Sequence, residues 1–469
     1  MSEAKTVRIG TRGSPLALAQ AHYFADRIKA AAGGGIETSI HTFTTTGDKI
    51  LDKPLQDAGG KGLFTKELDR AQELGEIDVA VHSLKDVTVT LAEHLVLAAF
   101  MPRAGAEYAA RRNRVDPGGD HAAVSRLSAA LRRRVIGEDE VVRAVLAAHG
   151  LHAAEKFIAE VFWRTYWKGW LEQRPAQWAQ WRAQTAHLRA DPAVARACAP
   201  AIAGQTGIAA FDHWAHELAR TGYLHNWARM QVASIWVFTL RLPWQLGAAW
   251  MFERLHDADP AANTLSWRWV AGLHTPGKAY LADPARIAAM TGGALHAQGL
   301  AAHADIPPAD PPLPTVEPRH AAPVDPAAPT LLLVTPEDCA LETVLGAVPV
   351  RAVAHLPALA TGAADRIACD DALARAARHW GVPVIAAADA AALVAAARAH
   401  GCTQIATGFA PVGPVAAALD RLRPALDAAG LPLAEHRRPW DALAWPHCRK
   451  GFFQLRSRIP DLLAQQGLA

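Results

Sequence analysis

The sequence predicts a multidomain chain with an N-terminal α/β segment, a central all-α region and a C-terminal doubly wound α/β domain. Three observations carry that reading. Apolar runs alternate with amphipathic stretches over residues 7–100, helical spacing almost without strands follows from Glu107, and short apolar runs separated by Ala-rich helices return after a proline tract. The tryptophans divide the chain in the same way: none lies in 1–162, twelve lie from Trp163 to Trp269, and three lie from Trp380 on. A chain of 469 residues, 51% of them apolar, has material for packed cores; at about 150 residues per domain it suggests roughly three.

Charge and cysteine usage limit the partners. A net charge of +3 from 48 basic and 45 acidic residues gives no excess that names nucleic acid or membrane, so any contact with DNA has to be a local patch. Five cysteines, at 198, 339, 369, 402 and 448, show no CxxC spacing and an odd total, which argues against a disulfide framework or a zinc site of usual spacing. No metal is expected, and a reducing, cytoplasmic location is. "MSEAKTVRIG" has no apolar leader core, and Arg or Trp-Gln interrupts every apolar stretch before it could span a bilayer, so neither secretion nor membrane insertion is expected.

In the first segment "VRIGT" reads as a short buried strand. "SPLALAQAHYFADRIKAAA" reads as an amphipathic helix with Ser14 as cap and Pro15 at its first position, and "IDVAVHSL" as a second apolar strand. Strand ends and helix starts carry "TRGS", "TTTGD", "GGKGLFTKELD" and "HSLKD". Exposed N–H groups at helix starts with nearby cations suit carboxylate or phosphate ligands.

Taken in order, "IGTRGSPLALAQA", "TTGDKILDKPLQDAGGKGLFTKELD" and "IDVAVHSLKDV" resemble the start of hydroxymethylbilane synthase, also called porphobilinogen deaminase. The resemblance implies that Asp86 is the catalytic carboxylate steadying positive charge on pyrrole nitrogens. It implies further that Arg12, Ser14, Lys61, Ser83 and Lys85 bind the acidic side chains of a dipyrromethane cofactor, with porphobilinogen as substrate. Several cations for polypyrrole carboxylates and an anion for a condensing pyrrole cation are what that chemistry needs. Thr88 and Ala92 stand where the family usually has proline. The larger departure follows Arg103: neither the second domain, with its "SSLRR"-type motif, nor the domain with the tethering cysteine can be found. "HGCTQI", with Gly401 and Cys402, resembles the attachment loop, but a helix-like "AALVAAARAH" before it and a strand-like "TQIAT" after it make Cys402 a buried structural cysteine. A dipyrromethane group is therefore not expected, and residues 1–103 read as a fragment of a deaminase.

From Glu107 "HAAEKFIAEVFWRTYWKGWL", "FDHWAHELARTGYLHNWARMQVASIWVFTL" and "PWQLGAAWMFERLHDADPAANTLSWRWVAG" run at helical spacing, and most of their tryptophans read as core packing. "TGYLHNWARM" with "DADPAANTLSWRW", preceded by "VSRLSAAL" and "FIAEVFWRTYW", resembles the FAD-binding helical domain of DNA photolyases and cryptochromes. The resemblance implies that Tyr108, Ser125, Leu127 and Ser128, with Arg164 beside them, hold the FAD phosphates and ribose. Asn263 would face flavin N5, Arg229 and Asp257 would pair beside the ring, and Asp259 would contact its polar edge. Trp267 and Trp244 would conduct electrons, with Trp181 or Trp178 as a third member. Glu160, Trp163, Asn226, Met230 and Trp269 would line a pocket for a flipped pyrimidine dimer, which makes damaged DNA a possible partner.

Two stretches depart from that family: "AGLHTPGKAYLADPARIAAMTGG" replaces a segment usually like "TGTDAAPYFRIFNP", and "TGIAAFDHWAH" keeps only Thr206, Gly207 and Asp212 of "TGYPIVDAAMR". "RRNR" and "LRRR" read as solvated helix faces or, less simply, as DNA-phosphate contacts. This helical domain is assigned to 104–303, and the proline tract at 304–329 reads as a semi-rigid spacer. Residues 330–469, with "TLLLVT", "VPVRAVA", "GVPVIAAAD" and "CTQIATG", form the doubly wound domain; its end, "RRPWDALAWPHCRKGFFQLRSRIPDLL", resembles the α/β domain that normally precedes the flavin domain. It contains no GxGxxG loop from which an antenna chromophore could be read. "LAAFMPRAG", at the junction, satisfies both families, so the expectation is two genes joined at a short shared sequence, by natural fusion or by an assembly error. A bifunctional enzyme is the alternative, as is a cryptochrome-like photoreceptor in place of a repair enzyme.

Overall fold

The strand expected at "VRIGT" is β1 (Lys5–Arg12), and α1 (Pro15–Ala31) follows it at once. The Ser14 hydroxyl accepts the Ala17 amide at 3.3 Å, and Pro15, which has no N–H to leave unpaired, takes the first helical position. β2 (Ile36–Phe43), α2 (Lys66–Glu73) and the two-residue β3 (Val79–Ala80) complete a parallel three-stranded sheet in the order β2-β1-β3. Among the described residues, Ile9, Ala21 and Ala25 form one buried cluster, against which Phe24 and Ile40 pack, and Leu68, Ala71 and Ile77 form another, against which Phe43 packs. No β2 side chain is fully buried. The structure, a computed structural model, describes residues 5–31, 36–45, 65–82, 104–119, 121, 123–275 and 277–468. Its contacts divide the chain into two units, Met1–Ala99 and Phe100–Ala469.

The second unit opens with helices: α3 (Ala106–Arg111), α4 (Ser128–Arg132), α5 (Glu138–Glu172), α6 (Pro175–Ala190), α7 (Pro192–Ala203), α8 (Ala209–Thr221), α9 (Asn226–Ser234), α10 (Trp244–Arg254), α11 (Pro260–Val270) and α12 (Pro284–Met290). Asp-Pro pairs start three of them. Asp191, Asp259 and Asp283 each accept a first-turn amide while the following proline fills the first position. The long α5 is broken at Gly150, where φ is +68° and ψ 166°, a conformation open to glycine. Its second half carries Phe157, Glu160, Trp163, Arg164 and Lys168. α9 runs into a π-helical turn over Ile235–Thr239, closed by the Leu240 amide on the Ile235 carbonyl at 2.9 Å.

The C-terminal part is a parallel five-stranded sheet ordered β6-β5-β4-β7-β8, from β4 (Thr330–Val334), β5 (Val350–His355), β6 (Val384–Ala386), β7 (Gln404–Gly408) and β8 (Leu433–His436). β4 and β7 are buried along their whole length, as central strands covered on both faces must be. α13 (Glu342–Leu345), α14 (Ala363–Trp380), α15 (Ala390–Ala399) and α16 (Pro414–Ala428) lie between the strands, and α17 (Pro439–Ala444), α18 (Phe452–Arg456) and α19 (Ile459–Gln465) close the chain. Leu331, Leu333 and Ile405 belong to one core cluster, and Leu332, Val334 and Val353 to another. Cys402 sits in the first, its thiol pushed up by burial.

The arginines of "LRRR" join these two parts, which corrects the expectation of a solvated or phosphate-facing helix surface. Arg132 forks onto Glu337 at 2.7 and 2.8 Å, Arg133 onto Asp365 at 2.7 and 2.9 Å, and Arg134 pairs with Asp441. Arg438 forks onto Asp338 at 2.7 and 2.8 Å. All four arginines are buried. Glu337 and Asp338 follow β4, whose neighbours β5 and β7 continue the chain in opposite directions, so the residues at the sheet's switch point, where such folds often take ligands, are engaged by the molecule itself. Residues 304–325 form neither helix nor strand and are tied to both parts. Asp310 accepts from Gln184 at 2.8 Å and Arg268 at 3.3 Å, the Val316 amide donates to Gln173 at 2.9 Å, and Arg319 pairs with Glu435 at 2.9 Å.

Candidate functional site

The Asp259 cap sets the register of α11. With Asp259 at the cap, Asn263 and Trp267 follow at four-residue steps and share a face. Asp259 accepts the Ala262 amide at 2.9 Å through Oδ1 and the Arg164 guanidinium at 2.8 Å through Oδ2. Asp257 accepts Arg229, from α9, at 3.0 Å. Burial opposes ionisation of both carboxyls, yet both lie below their usual range. Arg229 and then Arg164 outweigh it at Asp257; Lys168, then Arg164 and Arg132, do so at Asp259. Asn263 donates to the Ala248 carbonyl at 2.8 Å, which fixes its amide. Arg164, Arg229, Asp257 and Asp259 are thus drawn together from two helices and the turn before a third, α11, on which Asn263 follows one turn later. Two buried polar atoms in this cluster, Lys168 Nζ and Asp257 Oδ1, have no hydrogen-bond partner.

Trp267 is buried, and a Cβ at Gly247 would collide with its ring, so α10 and α11 can meet there only across a glycine. The ring that meets Trp267 is Trp236, edge to face at a centroid distance of 6.1 Å, and Trp236 stacks on Trp250 at 5.6 Å and 17°. Trp244 instead lies under the Arg268 guanidinium at 5.5 Å. Trp178 and Trp181 pack on each other at 4.8 Å, and Trp181 donates to the Gln245 carbonyl at 3.3 Å. Sequence reading missed Trp236 because it stands inside the apolar run "SIWVF", where only the π turn marks it.

A second group surrounds Tyr108. Its ring meets Phe157 edge-on at 5.3 Å, and burial, then the Glu160 charge, push its phenol up to about 12. Glu160 pairs with Arg112 and, at 3.9 Å, with Lys156. Arg126, at φ +59°, lays its guanidinium over Tyr223 at 4.5 Å, between half-buried Ser125 and buried Leu127, and Ser128 begins α4. His121 meets Glu217 at 2.7 Å, and burial followed by His121 holds His225 down at about 3. This histidine pair also escaped the sequence reading, since neither residue stands in a motif of its own.

The remaining candidates are more dispersed. Asn226 is exposed at the start of α9, Met230 is half-buried, and Trp269 packs against Tyr280 at 5.9 Å. Trp163 is stacked by Phe452 of α18, ring centroids 3.8 Å apart and 13° from parallel. The altered segment after Trp269 supplies His274, which burial holds down at about 4; its ring meets Tyr166 Oη at 3.0 Å and packs on Trp167. In the first unit Arg12 ends β1 half-buried and Ser14 caps α1, whereas Lys61, Ser83, Lys85 and Asp86, like the junction, lie outside the described residues. All five cysteines are free and buried. Among the described residues no group of His, Cys, Asp or Glu is placed to hold a metal, and no helix is long and apolar enough to cross a membrane.

Comparison with known proteins finds the same two resemblances, but the first match runs past the expected boundary at 103 and over Tyr108, Ser125, Leu127 and Ser128. Residues 7–149 match the family model described as porphobilinogen deaminase, dipyromethane cofactor binding domain, and residues 157–291 match the FAD binding domain of DNA photolyase. The chloroplastic porphobilinogen deaminase of Oryza sativa is 55% identical over 107 residues, 22% of this chain and 29% of that protein. That of Pisum sativum is 56% identical over 102 residues, 21% and 27%, and the Paracoccus denitrificans enzyme 52% over 98 residues, 21% and 31%. The chain thus spans less than a third of the length of these curated relatives. A bacterial class III photolyase structure from Agrobacterium tumefaciens aligns over 61% of this chain and 66% of its own, at 20% identity and a TM-score of 0.32, a score from which no shared fold follows. The chain therefore joins a segment similar to the start of porphobilinogen deaminases to a segment similar to the photolyase FAD-binding domain.

Proposed function

We propose that the unit from Phe100 on is a light-driven, FAD-binding protein of photolyase type that splits pyrimidine dimers in DNA. The observation that supports this most is the convergence of Arg164, Arg229, Asp257, Asp259 and Asn263 beside buried Trp267, inside the segment that matches the FAD-binding model. The residues fit the group: an orphaned ammonium and an orphaned carboxylate oxygen suit the acceptors and the N–H of a flavin's polar edge. When bound, reduced FAD supplies the light-excited electron of such chemistry.

The chain's own residues then have separate tasks. Arg229 and Arg164 keep two neighbouring carboxylates ionised in a buried place, and Asn263 presents an amide held by Ala248. Trp236 and Trp250 relay electrons to Trp267. Arg268 over Trp244 at 5.5 Å opposes positive charge there, as Arg254 does over Trp250 at 5.8 Å, whereas Trp236 carries its Nε1–H on the Pro243 carbonyl at 2.9 Å, an arrangement that steadies a positive ring. Glu160, Trp163, Asn226, Met230 and Trp269 receive the extruded bases, and Phe452 has to leave Trp163 before a base stacks on that face. That stack favours a second reading, a photoreceptor whose pocket stays closed.

The N-terminal segment does not make hydroxymethylbilane in this account, because Cys402, which most resembles a tethering thiol, is built into a sheet core. Illumination of reduced protein with dimer-containing DNA tests the proposal. Loss of dimers supports repair; light-driven reduction of the bound flavin with dimers persisting at saturating DNA supports the photoreceptor, and turnover of porphobilinogen would refute the last point.

A further inference from the structure

Lys168 stands one turn beyond Arg164 on α5 and is 2% exposed, yet its ammonium has no hydrogen-bond partner. Its natural partner is at hand and already engaged: Asp259 gives one oxygen to Arg164 at 2.8 Å and the other to the Ala262 amide at 2.9 Å. A buried ammonium without an acceptor is costly, and a fold that retains one is keeping a donor for something the protein alone does not supply. Two residues before the Asp259 cap, Asp257 keeps the opposite deficiency: Oδ2 is held by Arg229 at 3.0 Å, while Oδ1 is buried with nothing to accept from.

These two orphans define the missing partner by its chemistry. It offers an acceptor to Lys168 and an N–H to Asp257, and it is not a phosphate, which has no N–H to give the Asp257 carboxylate. A planar heterocycle whose edge alternates carbonyl and imide N–H meets all three conditions. We propose that Lys168 is an unassigned ligand-positioning residue of this site, donating to a ring carbonyl of the bound flavin while Asp257 accepts from the adjacent imide N–H. The inference rests on the flavin reading above. A fixed cation at the ring edge favours the more electron-rich reduced ring, so Lys168 raises the reduction potential as well as the affinity.

Lys168→Met tests this with a pair of effects that a structural lysine would not give. Because Lys168 is also the first cation that offsets burial at Asp259, the flavin-free variant should melt no higher than the unaltered protein, and the test is read from flavin binding and potential. The same change should weaken FAD binding about tenfold and shrink the FAD-induced rise in melting temperature. The two-electron potential should fall by about 30 mV, equivalent to a tenfold change in the preference for the reduced ring. Riboflavin, which carries the ring without phosphates, should lose affinity by the same factor, and ADP, which carries phosphates without the ring, should compete unchanged. If Lys168→Met does not fold, Lys168→Gln, which keeps a donor without the charge, should bind FAD with intermediate affinity and the lower potential. Unchanged affinity and potential in the variant, or a loss confined to ADP, would overturn the assignment to Lys168. Absence of FAD binding by the unaltered protein would overturn the flavin reading itself.

Discussion

The two units of this chain carry opposite kinds of information. Met1–Ala99 holds the plainer motifs, but its described core has two clusters of three buried side chains each, under a sheet with a two-residue third strand. Phe100–Ala469 has less regular motifs, yet its polar residues converge, buried, from helices far apart in sequence. The difference teaches that a recognisable motif reports ancestry, whereas a site needs enough surrounding structure to hold its groups. Asp86 has its motif in the sequence and lies outside the described residues; Asp259 has a helix, two arginines and a lysine around it.

The largest effect expected from that contrast is on folding alone. Ordering each residue costs about 1–2 kcal/mol in backbone entropy, and the two described clusters, each with three buried side chains, offset little of it. Residues 1–99 in isolation should therefore show no cooperative melt by calorimetry, while residues 100–469 should melt cooperatively. A sharp transition in the shorter piece would remove the contrast.

Within the second unit, Arg134 should matter most among the ion pairs. It is buried against Asp441, with Asp338 and Glu138 acting on it from nearby, and Arg134→Ala strips buried Asp441 of its guanidinium while Asp338 keeps Arg438. A loss of about 3–5 kcal/mol in denaturant unfolding is expected, and a loss as small as that of an exposed pair would show that the joint between helices and sheet is not held there.

A smaller, pH-dependent effect sharpens the same point. Burial pushes the Glu172 carboxyl from 4.5 up to about 7, against the pull of the Val412 amide, Arg319 and Arg437. The folded protein keeps a proton that the unfolded chain releases between those values. Stability from this group is therefore full below about pH 4.5, falls as pH rises toward about 7, and is level above that. Glu172→Gln, which stays neutral, should melt close to the unaltered protein at the acid end and above it at the alkaline end, by at most about 3 kcal/mol. An equal difference at both ends would show that Glu172 titrates normally.

Much of the fold was legible because its signals are local. Ser14 and Pro15 announced α1, "TLLLVT" and "CTQIATG" announced the buried strands β4 and β7, and Asp259 and Asn263 stood in one motif that the structure folds onto one helix face. The arginines of "LRRR" were not legible as a buried joint, because their carboxylates are Glu337, Asp365 and Asp441, more than 200 residues away, and no local spacing links them. β8 went unread because "LAEH" is short and half polar. Lys168 and Trp236 were hidden for a related reason: in sequence each is an ordinary member of a helical stretch, and only burial without a partner, or a ring against Trp267, distinguishes it.

The central claim is that the working site belongs to the second unit and needs nothing from the first. The most direct measurement is the flavin released on denaturing purified residues 100–469, compared with the full chain prepared in the same way. The account predicts equimolar FAD in both, with Asp259→Ala and Arg229→Ala reducing it in both alike; colourless protein from residues 100–469 beside a flavin-loaded full chain would contradict it.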